Sequence, residues 1–486
     1  MLKNGVYNVV GAVLRLGLGL LTIPLLIHLI GIEEYGLWML VSTAVSLVSL
    51  AETGLSVSTT VFLSRDLANK DAEGMSQTLT VTFSAMLLLA TLAALGLWVS
   101  AGAIADLFPN LGMAQRGAAV QALQIGGLVV WARLIQQILI GVEQAYQRYG
   151  LMNVLMTLQS VLISLGLLGV VGLGWRTVEL MQWQAVVTFA VLLAHAALSW
   201  LLVRHMRPRL AWNRLKGLQV VRYSLMTWVA LLGGALFSHV DRLIVGAMLG
   251  TRLLGIYVAI TSVTSQINSF SALPVQPLLP TLSNQVVKSG SQSLIVQQVK
   301  QALEINTIVA LGTGAILFTL APFVMQVIVS DAITDANILA FRIAALIYTL
   351  YSLNAVGYYI LFGVNATKSC MVIQLLSGFT SLLLIGIGSS ISGLLGAIVG
   401  NAGYLGVWGL TYWGMKQLGI PLSLWVKWLY FPILWFILVI ILNILIADQI
   451  ILKLVLSAVQ SAIIIGWFIT VQHTKLKLLV RKMVTR

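Results

Sequence analysis

Apolar runs of roughly 18 to 26 residues follow one another along almost the whole chain, each close to the length that crosses a bilayer core as a helix. Only helices and closed barrels satisfy their backbone polar groups in lipid. These runs lack the period-two alternation of a barrel, so the expected fold class is all-α and polytopic, with about fourteen transmembrane helices. The expected spans are 6–30, 37–62, 78–100, 117–142, 150–173, 180–203, 220–246, 253–279, 302–328, 338–362, 369–388, 391–415, 423–446 and 450–471. Composition agrees: 59% of the 486 residues are hydrophobic and 9% are charged, against roughly 25% charged in soluble domains.

The net charge of +14 raises nucleic acid as a partner, but the distribution of the charge excludes it. Threading the spans puts roughly 20 of the 28 Lys and Arg on one side, about five on the other and about three inside spans, which is the positive-inside pattern. The basic side is therefore cytoplasmic, and an even number of spans places both termini there. Outer loops are acidic or bare, with Glu33, Glu34, Asp106, Glu179, Asp331, Asp335 and Asp448. The opening MLKNG and the apolar stretch to Ile30 read as a retained first span, since the stretch exceeds a signal h-region and lacks a small-residue cleavage motif. The single cysteine, Cys370, supports neither a disulfide within the chain nor a thiolate metal site. The segment 204–222 is the most basic, with Arg204, Arg207, Arg209, Arg214, Lys216 and Arg222. It suits a linker lying on an anionic leaflet or a plain topogenic loop, and both readings stand.

An internal repeat sets the domain expectation. Laying Gly31 on Gly250 also lays Gly36 on Gly255, Trp38 on Tyr257, and Leu63-Ser64 on Leu282-Ser283. Two parallel six-helix half-bundles follow, as in carriers whose halves rock around a cavity. The expected domains are an N-terminal bundle (1–203), a basic linker (204–222), a C-terminal bundle (223–415), and two additional helices with a basic tail (416–486).

Ionisable groups inside spans are costly and usually face a partner, a cavity or a pathway. Here they are Arg15, Glu52, Arg133, Asp241 and Arg242, with His28, His195 and His239. Glu52 lies beside a stripe of Ser42, Ser46, Ser49, Thr53, Ser56 and Thr60, and Arg133 shares a helix side with Gln136, Gln137, Gln144 and Gln147. Span 8 carries Tyr257, Thr261, Thr264, Ser265 and Asn268 ahead of Pro274, Pro277 and Pro280, which should bend or break it. Such wet faces are enough to line a cavity. Their bland counterparts are helix packing for the Ser and Thr stripe, snorkelling for Arg15, mutual neutralisation for Asp241 and Arg242, and packing for His28 and His195. No HExxH, P-loop, GxSxG or usefully spaced carboxylate pair occurs, so an enzyme is not expected.

The opening segment, with Pro24, Gly31, Glu34-Tyr35-Gly36, Gly54 and Ser64-Arg65, resembles polysaccharide-export proteins of the multidrug/oligosaccharidyl-lipid/polysaccharide (MOP) exporter superfamily. The run Asp241-Arg242, Gly246, Gly250 is similar to that family's second-half signature. The resemblance implies a flippase of the bacterial inner membrane that carries undecaprenyl-diphosphate-linked oligosaccharide repeats, such as O-antigen units. It implies lipid-linked oligosaccharide and membrane lipids as partners, and a polymerase and glycosyltransferases of the same pathway. For such a substrate Arg15, Arg133 and Arg242 are the diphosphate candidates, since guanidinium matches phosphate bidentately. Trp131, Trp228, Tyr351 and Asn354 are the sugar-facing candidates. Glu52 and Asp241 are candidates for proton or sodium coupling; no cofactor or metal is expected. A drug–cation antiporter and a peptidoglycan-precursor flippase of the same superfamily are the alternatives.

Overall fold

The computed structural model describes residues 17–18, 21–50, 53–206, 209–278, 282, 292–329, 333–364, 366–446 and 449–484. Among them every regular element is a helix. Ten helices are long and apolar enough to cross a membrane, eleven if one bent pair counts as a span. The protein is an α-helical, multi-pass membrane protein. Two of its passages turn within one run of helix, at Gly250 and Gly393, so counting helices does not count crossings. The chain divides into two compact units, Met1–Val258 and Ala259–Arg486.

The first unit opens with α1 (Leu21–Ile30), α2 (Ile32–Ser49), α3 (Thr53–Ala68), α4 (Ala72–Asp106) and α5 (Met113–Ala145). It continues through α6 (Tyr149–Gly172) and α7 (Thr177–Val203) into α8 (Arg214–Thr264). In α5, 67% of the apolar stretch is buried, against 17% in α4 and in α6. α5 is therefore the inner helix of the unit, while its neighbours turn leucines such as Leu88, Leu92, Leu158 and Leu165 outward.

The residues that carry the sequence resemblance build this unit. Gly31 and Gly250, which the repeat superimposes, share φ of 81°, a backbone region that L side chains rarely adopt. Five residues on, Gly36 has no room for a Cβ beside the carbonyl oxygen of Thr251, and Gly255 none beside that of Ile32. The shift that lays Gly36 on Gly255 also lays Ile32 on Thr251, so the two contacts are mirror copies of one another. Glu34 accepts from the backbone N–H and the hydroxyl of Thr177 at 3.0 and 2.6 Å. A carboxylate at that helix N-terminus satisfies an orphan donor and complements the helix dipole. Tyr35 is buried.

The basic segment is tied down by hydrogen bonds to α3 and α4. Lys216 donates to both oxygens of Asp66, at 2.8 and 2.7 Å, and to the carbonyl oxygen of Gly74 at 2.8 Å. The backbone N–H groups of Arg209 and Ala211 donate to Ser76 and Thr80. The segment thus grips the ends of α3 and α4 through protein bonds, and Lys216 is committed to Asp66.

The second unit contains α9 (Gln266–Ala272), α10 (Gln292–Thr319), α11 (Ala321–Ile328), α12 (Asp335–Ser352) and α13 (Ala355–Gly363). After these come α14 (Thr367–Gly400), α15 (Trp408–Gln417), α16 (Leu422–Leu445) and α17 (Ile450–Val484). Helix α8 ends at Thr264, α9 is short, and a 3₁₀ turn at Leu273–Val275 follows, so the chain breaks around the first proline of the triplet as expected. In α14, Gly393 at φ 57° reverses the chain. Close approaches of Gly400 to Ile385 and of Gly403 to Ser381 make the two arms a hairpin packed through small residues. The two final helices are fastened by a buried polar chain. Lys453 donates to Asn443, Asn443 donates to Thr319 at 3.0 Å, and the Thr319 hydroxyl donates to Gln460 at 3.0 Å.

Candidate functional site

A cavity of about 480 Å³ lies inside the first unit, in the size range of small-molecule sites. Its walls come from α2 (Ser46, Ser49), α5 (Arg133, Gln136, Gln137), α6 (Gln159, Ser160) and His239 of α8. The i, i+3, i+4 spacing of Arg133, Gln136 and Gln137 puts them on one side of the inner helix. Gln136 and Gln159 exchange amide bonds at 2.9 and 3.4 Å, which fixes both planes across the cavity wall. Among the described residues Arg133 forms no hydrogen bond or ion pair, and no carboxylate lines the cavity. His239 adds a buried Nδ1 that has no partner among the described residues. The chemistry on offer is a cation, amides and hydroxyls around an empty volume, which suits an anion bearing polar groups.

The serine stripe of the second span divides its work. Ser46 and Ser49 face the cavity. Below them the Ser56 hydroxyl donates to the carbonyl oxygen of Gln137 at 3.1 Å, and that of Thr60 lies within bonding distance of the Gln144 side chain at 3.2 Å. That lower half is packing, as the bland reading had it.

The other expected site residues stand elsewhere. Trp131, two residues from Arg133, points away: its indole donates to Thr91 at 3.3 Å and stacks on Phe189. Trp228 lines a separate apolar pocket and donates to the carbonyl oxygen of Leu50 at 3.1 Å. Asp241 is buried and accepts from the hydroxyl of Tyr257 at 2.9 Å, with Arg242 acting on it electrostatically. Arg242 lines neither cavity, and its Nε is buried without an acceptor among the described residues. In the second unit Tyr351 packs edge-on against Tyr348 and Tyr404. Asn354 is buried at the break between α12 and α13 and donates to the carbonyl oxygen of Tyr351. Arg15 and Glu52 lie outside the described residues.

Sequence reading missed Gln159 and Ser160, although Asn153, Thr157, Ser160 and Ser164 are spaced four, three and four and draw one face of that leucine-rich helix. It also missed the pair made by His195 and Glu143. Both side chains are fully buried and meet at 2.7 Å, Nδ1 to Oε1. Glu143 sits just past the expected end of its span and His195 is 52 residues away, so nothing local joins them.

A family profile described as "Polysaccharide biosynthesis protein" matches residues 1–286. The chain belongs to the polysaccharide biosynthesis protein family. No curated protein matches it. Among solved structures this family member resembles the lipid II flippase MurJ in its inward closed conformation, at 12% identity and a TM-score of 0.76, over 96% of this chain and 99% of that one. It also resembles an inward-facing multidrug resistance MATE family transporter of the MOP superfamily, at 15% identity and a TM-score of 0.67, over 84% and 98%. A point mutant of the Vibrio cholerae MATE transporter VcmN follows at 16% and 0.57, over 84% and 94%. At these identities the likeness is one of fold. The fold is the one these solved transporters share, and the family agrees with the resemblance carried by the opening segment.

Proposed function

We propose that this protein is a flippase that moves undecaprenyl-diphosphate-linked oligosaccharide repeat units, O-antigen or exopolysaccharide, from the cytoplasmic to the periplasmic leaflet of the bacterial inner membrane by alternating access. The observation that carries this reading is Arg133, a guanidinium on the inner helix of its unit that faces a cavity and has, among the described residues, neither an acceptor nor a carboxylate beside it on the cavity wall. Leaving a half-buried guanidinium unpaired is costly, and a transient diphosphate offsets that cost with bidentate, charge-assisted bonds. The amides of Gln137 and Gln159 and the hydroxyls of Ser46 and Ser160 suit the first sugar. A drug–cation antiporter would place an anionic or apolar surface where Arg133 stands.

A peptidoglycan-precursor flippase is the second reading, favoured by the fold likeness to MurJ over nearly the full length of both chains. Its head also carries a diphosphate, so Arg133 serves either cargo. Deletion of the gene separates the two: loss of surface polysaccharide in viable cells supports the first, and loss of viability supports the second. Within the first reading, Arg133→Ala should abolish surface polysaccharide with membrane abundance of the protein intact. Normal polysaccharide in that variant would overturn the role given to Arg133.

A further inference from the structure

The basic segment has two sides, and the structure treats them differently. From Arg204 to Arg222 it holds five arginines, one lysine and no acidic residue. Asn213 starts α8 by accepting from the backbone N–H groups of Leu215 and Lys216 at 3.0 and 3.1 Å, as an N-cap residue does. Lys216, Val220 and Ser224 then follow at i, i+4 and i+8 and form one stripe of the helix. That stripe faces protein: Lys216 is taken by Asp66 and Gly74, Val220 is buried, and Ser224 meets Ser58 at 2.6 Å.

The other side of the same turns carries Arg214, Leu215, Leu218 and Arg222, all exposed, and Arg209, Leu210 and Trp212 are exposed just ahead of the helix. Leu210 is 95% exposed, Trp212 69%, Leu215 74% and Leu218 68%. Among the described residues none of Arg204, Arg209, Arg214 and Arg222 joins an ion pair. The rim continues onto α3, where Arg65 lies over the ring of Phe62 at 5.8 Å and Phe62 meets Tyr223 edge-on.

An exposed apolar patch of this kind marks an interaction surface, and the arginines within it select the partner. Nucleic acid would answer the guanidinium groups and leave three leucines and an indole in water. A lipid–water boundary answers both, because leucine and indole enter between headgroups while arginine reaches phosphate. The segment leads directly into the expected span 220–246, which sets it at headgroup level, where aromatic residues also gather. The bonds from the Arg209 and Ala211 N–H groups to Ser76 and Thr80 hold its backbone against the start of α4. The outward side is therefore presented already ordered, which lowers the entropy lost on binding.

We propose that the outward side of residues 204–222 is a docking surface for anionic phospholipid of the adjoining leaflet. Arg209, Arg214 and Arg222 gather the phosphate headgroups, and Leu210, Trp212, Leu215 and Leu218 meet the acyl chains. This lipid is a resident of the leaflet and not the cargo, so the surface stands independently of the flippase reading. Each arginine near an anionic surface contributes about fivefold, the equivalent of about 1 kcal/mol.

Lipid-selective quenching in nanodiscs tests it. The single cysteine, Cys370, is buried. Full-length protein with Cys370→Ser receives Gln219→Cys, labelled with a fluorophore beside the surface, or Met113→Cys as a control past the far end of α4. Phosphatidylglycerol and phosphatidylcholine are both present, and one or the other carries a nitroxide quencher at equal mole fraction. The surface predicts quenching at position 219 by the phosphatidylglycerol probe about fivefold or more above the phosphatidylcholine probe, and no preference at 113. The preference should vanish in Arg209→Gln/Arg214→Gln/Arg222→Gln and weaken in high salt. It should survive in Arg209→Lys/Arg214→Lys/Arg222→Lys, which separates loss of charge from loss of fold. Equal quenching by the two lipids at 219, a preference shared by 113, or one that persists in the glutamine variant overturns the surface. Quenching at 219 by neither lipid means that protein or water covers it, and overturns it too.

Discussion

As letters, Arg133 and Arg242 are equivalent: each is an arginine inside an apolar helix, and each is a candidate for the same diphosphate. Their surroundings are opposite. Arg133 faces a cavity of glutamine and serine with no partner among the described residues. Arg242 sits beside a buried aspartate that Tyr257 already holds, close enough to Tyr35 to act on it electrostatically, and lines neither of the two cavities described. A charge inside a membrane helix therefore does not by itself mark a pathway. What separates the two is the surroundings: Arg133 faces a cavity of polar groups, whereas Arg242, whose Nε also lacks an acceptor among the described residues, lies against a buried carboxylate that acts on it electrostatically.

That contrast gives the largest expected effect. Arg133→Gln should lower transport about 30-fold or more, the equivalent of about 2 kcal/mol or more for a buried charged hydrogen bond, with the melting temperature in detergent unchanged. Arg242→Gln should do the reverse, lowering the melting temperature while each folded molecule transports normally. Loss of transport in fully folded Arg242→Gln would break the contrast.

The Glu143–His195 pair extends the comparison to two fully buried groups that meet each other, while Glu143 Oε2 and His195 Nε2 have no partner among the described residues. Replacing either one by leucine should cost about 3–5 kcal/mol of stability, because the other is left buried and alone. Replacing both should cost less than either single change, measured by thermal unfolding of the purified protein. Gly36→Ala, which sets a methyl group against the Thr251 carbonyl, should cost about 1–3 kcal/mol by overpacking, seen as reduced membrane abundance. Tyr257→Phe removes one donor from Asp241 and should cost about 1 kcal/mol, without affecting transport by the folded protein. The smallest effect belongs to Arg116→Gln. Arg116 meets Asp106 at 2.7 Å with both side chains about half exposed, and exposed pairs contribute little, so neither abundance nor melting should change measurably.

The same contrast explains what was legible in advance. The helices were legible because length and hydropathy are local properties; the break expected between 246 and 253 holds the reversal at Gly250, whereas the reversal at Gly393 falls inside the expected span 391–415. The family motifs were legible as letters, while their roles were not. Gly31, Glu34 and Gly36 carry the family resemblance, and in the fold they build a helix junction. Arg133, Gln136 and Gln137 were visible together because one helix carries them at i, i+3 and i+4. Gln159 and Ser160 complete the cavity from another helix, and no spacing in one dimension encodes that meeting. Trp131 shows the limit of proximity in sequence: two residues along a helix is the opposite side, and its indole went to Thr91 and Phe189 instead of the cavity.

The central claim is that Arg133 waits for an anionic lipid head. Native mass spectrometry of the purified protein with undecaprenyl diphosphate tests this most directly, comparing the unmodified protein with Arg133→Gln and Arg242→Gln at equal folded fraction. The account predicts that the unmodified protein and Arg242→Gln retain the lipid while Arg133→Gln releases it. Equal retention by Arg133→Gln would contradict it.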